Sequence, residues 1–569
     1  MLPQTAVSRL SVSLFAAVMI AAGAPVSKGQ CLSNEFDDLI SLDVFAQDEF
    51  GSAVAVSGDI AIVGEPLDGD WGLDYGSAHV YRFDGTSWVY ETKLVPPDAA
   101  ENDEFGVSVA VSGNVAAIGS HFDDDSGWDS GSAYVFEFDG ERWTAVAKLS
   151  SSDGILWDNL GISVAIDGDV IVVGANLAST ANTGAAYVYV KPPEGWADMT
   201  ETAKLTASDA EDIDEFGVSV GVSGDVIVVG TQFETSGGTG AGAAYVFERP
   251  PAGWADMTET AKITASDAAA QDRFGRSVSV SGDVIVVGAW GDDDGDAGTG
   301  SVYVFEKPSS GWSNMTETAK LTASDAAAGD HLGWSVAISG EIVLGGAPAT
   351  LFDGTGAGAA YVFRRPASGW ATSTEDAKLT STTGAEDDEF AYAVAIAGGV
   401  AVTGARRYTT EGYDNAGAAF TYHGLSDCQP NDVLDLCDII NGASNDADGN
   451  GTPDECDSTS GASGAVDSLV AVKAEGGSIT LSWSPSCLLT DDDYEIYEGL
   501  LGDFASHTPL FCTTGGATQH TFVPGDGSRY HLVVPRNASV EGSYGFDSDG
   551  WEREPGQSAC LPRALGECP

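Results

Sequence analysis

Basic side chains are scarce in this 569-residue chain. Only 24 lysines and arginines stand against 86 aspartates and glutamates, a formal net charge of −62. A surface so charged repels nucleic acid and anionic membranes, and no nucleic-acid partner is expected. It suits divalent cations or a saline exterior. Histidine is sparse too. His79, His121, His331, His423, His507, His520 and His531 never fall into H-E-x-x-H, H-x-H or another ligand spacing. No G-x-S-x-G elbow is present. Carboxylate pairs suited to glycoside cleavage are too numerous to single one out. No catalytic residue is therefore assigned, and the expectation is a protein that is not an enzyme. Long apolar runs are missing as well. Leu10 to Ala22, behind Arg9, is too short to span a bilayer and has the form of a secretory signal peptide within residues 1–29. Cleavage after Ala24 or before Gln30 both remain open, and no other segment is long enough to cross a membrane. The expected location is secreted or cell-surface, where disulfides form. The eight cysteines suggest Cys31 with Cys428, Cys437 with Cys456, Cys487 with Cys512 and Cys560 with Cys568, but spacing alone leaves the connectivity open.

What the chain has in abundance is repetition. A phrase of the form F-G-x-S-V-x-V-S-G-D-V-I-V-V-G-A occurs seven times, anchored at Phe50, Phe105, Leu160, Phe216, Phe274, Leu332 and Phe390, 55 to 58 residues apart. Such a period marks one supersecondary unit copied around an axis. Each unit holds four short β signals, as in Val218 to Val222, Val226 to Val229, Gly242 to Phe247 and Ala203 to Ala207. Glycine in the turn between the first two strands (Gly58, Gly113, Gly168, Gly224, Gly282, Gly340, Gly398) answers the need for positive φ. Glycine ending the second strand (Gly64, Gly119, Gly174, Gly230, Gly288, Gly346, Gly404) predicts a close approach of a neighbouring backbone. Four antiparallel strands repeated seven times describe a β-propeller. The last unit, ending at Ala418 to Tyr422, lacks a fourth strand. Asp38 to Asp43 precedes the first unit and can supply it, closing the ring and removing a free edge. An Asp two residues before every anchor (Asp48, Asp103, Asp158, Asp214, Asp272, Asp330, Asp388) reads as a loop cap.

These residues resemble the FG-GAP repeats of integrin α-like propellers. Phe-Gly stands at Phe50/Gly51, Phe105/Gly106, Phe216/Gly217 and Phe274/Gly275, and Gly346-Ala347-Pro348 is a complete G-A-P. The resemblance implies a seven-bladed propeller used mostly for binding. That family's calcium loop, D-x-D-x-D-G-x-x-D, lies just before the G-A-P strand. Here Ser-Gly-Asp takes its place, so those calcium sites do not carry over.

Acidic residues cluster twice more. The loops between second and third strands carry Asp68, Asp70 and Asp74 in blade 1, Asp123, Asp124, Asp125 and Asp129 in blade 2, and Asp292, Asp293, Asp294 and Asp296 in blade 5. Blades 3 and 4 have small polar residues there, so these loops are candidates for a one-sided metal or ligand site. Beyond the repeats, Asp446, Asp448, Asn450, Asp454 and Asp457 place oxygen ligands around Gly451 in a calcium-loop register. Asp427, Asn431, Asp435 and Asp438 repeat the register less completely, with Asp432 where glycine belongs. The pair resembles thrombospondin type 3 repeats and, more loosely, a dockerin, although only Val433 to Ile440 is suited to a helix. The expected cofactor is Ca2+. Residues 466–569 alternate as half-buried strands at Ser478–Trp483, Tyr494–Tyr497 and Tyr530–Val534, and resemble a fibronectin type III domain.

The expected fold is all-β: a seven-bladed propeller over 36–424, a short calcium-binding linker over 427–457 and a small β-sandwich over 466–569. The expected function is adhesion or recognition of an extracellular protein or polysaccharide through one propeller face. The alternative is a secreted carbohydrate-active hydrolase or lyase with its site in the channel.

Overall fold

In the computed structural model the described residues are 31–426, except 34, 44, 70–73, 125–126, 294–296, 349–356 and 411, then 434–440, 444 and six strands between 469 and 536. The seven repeats form seven antiparallel blades. Blade 1 is Ala53–Ser57, Ile60–Glu65, Ser77–Phe83 and Trp88–Leu94. Blade 4 is Ser219–Ser223, Val226–Thr231, Ala243–Glu248 and Ala261–Thr264. The turn glycines lie in the left-handed region, Gly224 at φ 55°, so each hairpin reverses in two residues without a Cβ clash.

Ring closure follows the expected phase. Blade 7 holds Phe390–Ala397, Val400–Ala405 and Ala418–Tyr422, and its fourth strand is Asp37–Leu39 from the start of the chain. Asp37, Asp38 and Leu39 pair antiparallel with Thr421, Phe420 and Ala419. The closing strand is shorter than the stretch expected to form it, and Ser41 and Asp43 turn instead toward blade 1. A further layer lies outside the blades. Met199–Thr200, leading into the fourth strand of blade 3, pairs in parallel with Leu149–Ser150 of blade 2. The same happens at Met257–Thr258, Met315–Thr316 and Ser373–Thr374. Cys31–Ser33 completes the series on Ala377–Leu379.

The anchors pack between blades. Phe50, Phe105, Phe216, Phe274 and Phe390 are fully buried, as are Leu160 and Leu332. Each bridges to the glycine that opens the third strand of the previous blade, with Phe50 on Gly417 closing the circle. The glycines ending the second strands meet the next blade's backbone. A Cβ on Gly64 would collide with the carbonyl of Gly106, and one on Gly404 with that of Gly51. The crowding read from the sequence is therefore the blade-to-blade seam. Against blade 7, Leu434 and, in the helix that follows it (Asp435–Ile440), Cys437 are buried in the same core as Phe390 and Tyr422.

Further along, Leu469–Lys473, Ile479–Trp483 and Gln519–Phe522 form one antiparallel sheet. Asp503–Phe511, Asp493–Leu500 and Arg529–Arg536 form another. Leu481 and Phe522 pack with Tyr494, Ile496 and Val533. No helix among the described residues is long and apolar enough to cross a membrane.

Candidate ligand-binding mouth of the propeller

First strands begin, second strands end and third strands begin at one end of the ring, so that face gathers three residues from every blade. The residue two after each anchor lines the mouth of the central channel: Ser52, Val107, Ile162, Val218, Arg276, Trp334 and Tyr392. The mouth encloses about 380 Å³, with Asn176, Glu215 and Gln232 at its edge. Below it a further space of about 250 Å³ lies between valines, alanines and isoleucines, Val56, Val111 and Ile338 among them. The throat itself carries only apolar side chains and backbone apart from Ser279, whereas the mouth carries polar, charged and aromatic ones.

At the position two after the anchor, blades 1 to 4 give the mouth small or aliphatic residues; blades 5 to 7 give it an aromatic and cationic wall. Trp290 and Trp334 lie 5.4 Å apart, and Trp334 and Tyr392 5.6 Å apart, as ring centroids. His331 stands edge-on to Trp290 at 5.0 Å. Arg276 lies over Trp334 at 5.1 Å and Arg406 over Tyr392 at 3.9 Å. Arg406 is fixed by Glu389 at 2.7 Å and Glu49 at 3.4 Å. Stacked guanidinium and ring faces hold one another in place, so the wall is organised before any ligand arrives.

The residue just before each anchor forms an outer ring: Glu49, Glu104, Asn159, Glu215, Arg273, His331 and Glu389. All seven sit at positive φ, between 50° and 60°. That conformation is uncommon for these residue types, and the ladder on either side imposes it. In blades 1 and 2 this ring is acidic. Burial, reinforced by the charges of Glu49, Asp74 and Asp129, pushes Glu104 up to about 7. Burial pushes neighbouring His121 down to about 4. The aromatic and cationic side chains are thus gathered on blades 5 to 7, while acids stand at Glu49, Glu104, Glu215 and Glu389 around the ring.

The acidic loops have other work. Asp68, Asp123 and Asp292 are buried and bind the fourth-strand lysines: Lys93 at 2.5 Å, Lys148 at 2.8 Å and Lys320 at 2.7 Å. Tyr134 donates to Asp123 at 2.6 Å and Ser301 to Asp292 at 2.5 Å. Asp124 accepts the backbone N–H of Asp129 at 2.8 Å, closing its loop. Asp125, Asp294 and Asp296 lie outside the described residues. The seven Asp caps accept a backbone N–H three residues upstream, as Asp48 does from Phe45 at 2.7 Å and Asp214 from Glu211 at 2.7 Å. Of the linker residues, Asp435 is described: it is buried in the helix and accepts the Ser426 hydroxyl at 2.9 Å. Asp438 lies in that helix without a described side chain. Asp427, Asn431, Asp446, Asp448, Asn450, Asp454 and Asp457 lie outside the described residues, as does the pairing expected of Cys31 and Cys428.

Blade 1 departs from its siblings at a second place. Glu65 and His79 occupy positions that hold Ala175 and Tyr187 in blade 3. Both are buried, and His79 Nε2 lies 2.7 Å from Glu65 Oε2. Burial pushes Glu65 up and His79 down, so both favour their uncharged forms. The ligand atoms of Asp43, Glu65 and His79 all lie within 4.8 Å of one another, a set of one nitrogen and two oxygens with the reach of a divalent ion. Lys93 already bonds Asp43 at 2.6 Å, so the cluster carries its own cation and works as a polar clasp at the seam between blades 7 and 1.

Seven consecutive stretches match the FG-GAP repeat model: residues 34–81, 88–136, 143–189, 199–247, 257–305, 315–363 and 373–422, more than half the chain. The chain belongs to the FG-GAP repeat family. Such repeats are typical of extracellular proteins. Each matched FG-GAP repeat from the second onward begins near a fourth strand and runs into the next blade, so every repeat joins two blades covalently. No curated protein matches the chain closely enough to count as a relative.

The wall was missed in the sequence. Arg276, Trp334 and Tyr392 stand at the x of F-G-x, the one letter the repeat leaves free beside its most constant pair. Variation inside a fixed frame was the available signal.

Proposed function

We propose that this protein is an exported recognition protein that holds a polysaccharide at the mouth of its propeller. The observation that carries the reading is the wall of Trp334 and Tyr392, backed by Trp290, where blades 1 to 4 place Ser52, Val107, Ile162 and Val218. Sugar rings present C–H faces that stack on indole and phenol, and their hydroxyls take amide and carboxylate partners such as Asn176, Gln232 and Glu215. A space of about 380 Å³ suits one or two sugar rings better than a protein surface, which needs a far wider footprint. Removal of residues 1–29 on export, a calcium-binding linker over 427–457 and a fibronectin-like module after it complete the proposal. The module would act as a spacer. A hydrolase or lyase acting in the channel is the competing reading, supported only by Glu215 and Arg276 lining the same mouth.

The test is retention on immobilised polysaccharides of the wild type and of Trp334→Ala combined with Tyr392→Ala. Wild-type retention lost in the double variant, at unchanged thermal stability, supports recognition. Equal retention of both forms refutes it. Shorter chains accumulating from the bound polysaccharide would establish turnover instead. For the linker, calorimetric calcium titration should show a site that disappears when Asp446→Ala and Asp448→Ala are combined.

A further inference from the structure

Cations in this propeller are rarely left without an anion. Lys93, Lys148, Lys204, Lys262, Lys320 and Lys378 each lie within 3.0 Å of a carboxylate oxygen. Arg82, Arg365, Arg406 and Arg407 are likewise paired. With 86 acidic residues in the chain, a carboxylate is within reach almost everywhere. Arg273 and Arg276 are exceptions: neither makes an ion pair with any described residue. Both belong to blade 5, and both stand on the face that carries the aromatic wall.

Their surroundings hold them there. Arg276 lines the mouth and lies over Trp334 at 5.1 Å. Arg273 lies over Phe233 at 4.3 Å and donates to the side chain of Gln271 at 2.5 Å. Each is partly buried. Burial holds Arg273 below its usual range, with the charge of Glu215 opposing that shift. A partly desolvated guanidinium without a counter-ion is an unfavourable state for the free protein. Its planar donor fork matches a carboxylate or sulfate in two parallel hydrogen bonds. The aromatic stack keeps Arg276 pointing along the wall where a sugar ring would lie.

From this we infer that the ligand is an acidic polysaccharide, with the anionic group of one sugar residue held by Arg276 while its ring stacks on Trp334. The inference rests on the recognition reading above. The net charge of −62 does not forbid it, because at physiological salt a field decays over about 8 Å and the nearest charges decide.

The experiment is calorimetric titration of the full chain with oligogalacturonate, dextran sulfate and neutral dextran, on wild type, Arg276→Gln and Trp334→Ala. The expected result is binding of at least one anionic chain, weakened at least tenfold by Arg276→Gln at unchanged melting temperature, with neutral dextran bound far more weakly. Which anionic chain binds distinguishes a carboxylate from a sulfate. If neutral dextran binds through Trp334 and Arg276→Gln changes nothing, recognition stands and the acidic ligand is refuted. If Trp334→Ala leaves the binding of every chain unchanged, the recognition reading fails with it.

Discussion

Individual residues show two kinds of constraint, and the repeat exposes only one. Constraints shared by all blades are legible, because seven copies of Gly58, Gly64 or Asp48 cannot be accidental. Features held by one blade are not, and the Glu65–His79 pair and the Arg276–Trp334–Tyr392 wall are of that kind. The pair gives a direct test. His79→Ala leaves Glu65 buried without its partner and should cost about 3 kcal/mol. Combining Glu65→Ala with His79→Tyr copies blade 3, where Tyr187 donates to Asp153 at 2.9 Å, and the new phenol can reach Asp43. That double variant should lie within about 1 kcal/mol of wild type in urea unfolding. A second test sits at Ala391, which stands at φ 65° where the other blades place glycine. Ala391→Gly should stabilise by about 1 kcal/mol, seen as a higher urea midpoint at constant slope.

At the level of elements, the phase of the strands was legible because the missing fourth strand and the unpartnered first segment match each other. The parallel outer pairs were not, since two-residue segments such as Met199–Thr200 carry no periodicity. Their role emerges from a repeated clip. Glu201, Glu259, Glu317 and Glu375 accept the backbone N–H of Ser152, Ser208, Ser266 and Ser324 in the preceding blade at 2.8 to 2.9 Å. Glu35 does the same for Thr382 at 2.9 Å, so the segment before the closing strand repeats the pattern. Removing residues 1–43 should destabilise the propeller by on the order of 4 kcal/mol, from the loss of Leu39 burial and the strand hydrogen bonds. The shortened protein should also associate through the bared Ala418–Tyr422 edge. Size-exclusion chromatography reads the second effect, and a synthetic peptide of residues 31–43 should reverse both. A shortened chain that stays monomeric and equally stable would contradict this account of closure.

For the molecule as a whole, the balance of carboxylates sets the response to pH. Burial raises all seven Asp caps, with Asp48 pushed up to about 7 and Asp103 and Asp272 to about 6. Glu65 and Glu104 are raised as well. A raised carboxyl favours folding when protonated, so its contribution is present in full at low pH and disappears as pH rises through the folded value. The lysine-bound carboxylates run the other way. In Asp98, Asp153, Asp209, Asp267 and Asp325 burial is outweighed by the lysine, and their contribution fails only in strong acid. His79 and His121, held low by burial, oppose the trend between pH 6.5 and 4 but are only two. The melting temperature should therefore be higher near pH 5.5 than at pH 8; calorimetry showing the reverse would contradict this assignment of buried acids. Finally, the strand that seals blade 7 is separated from its partner by almost the whole ring, Asp37 from Thr421. A chain emerging amino end first must therefore hold this strand idle until the seventh blade exists. Nothing short of the full set of repeats can leave both edges satisfied, which makes the circle a built-in audit of whether synthesis has run past the last repeat.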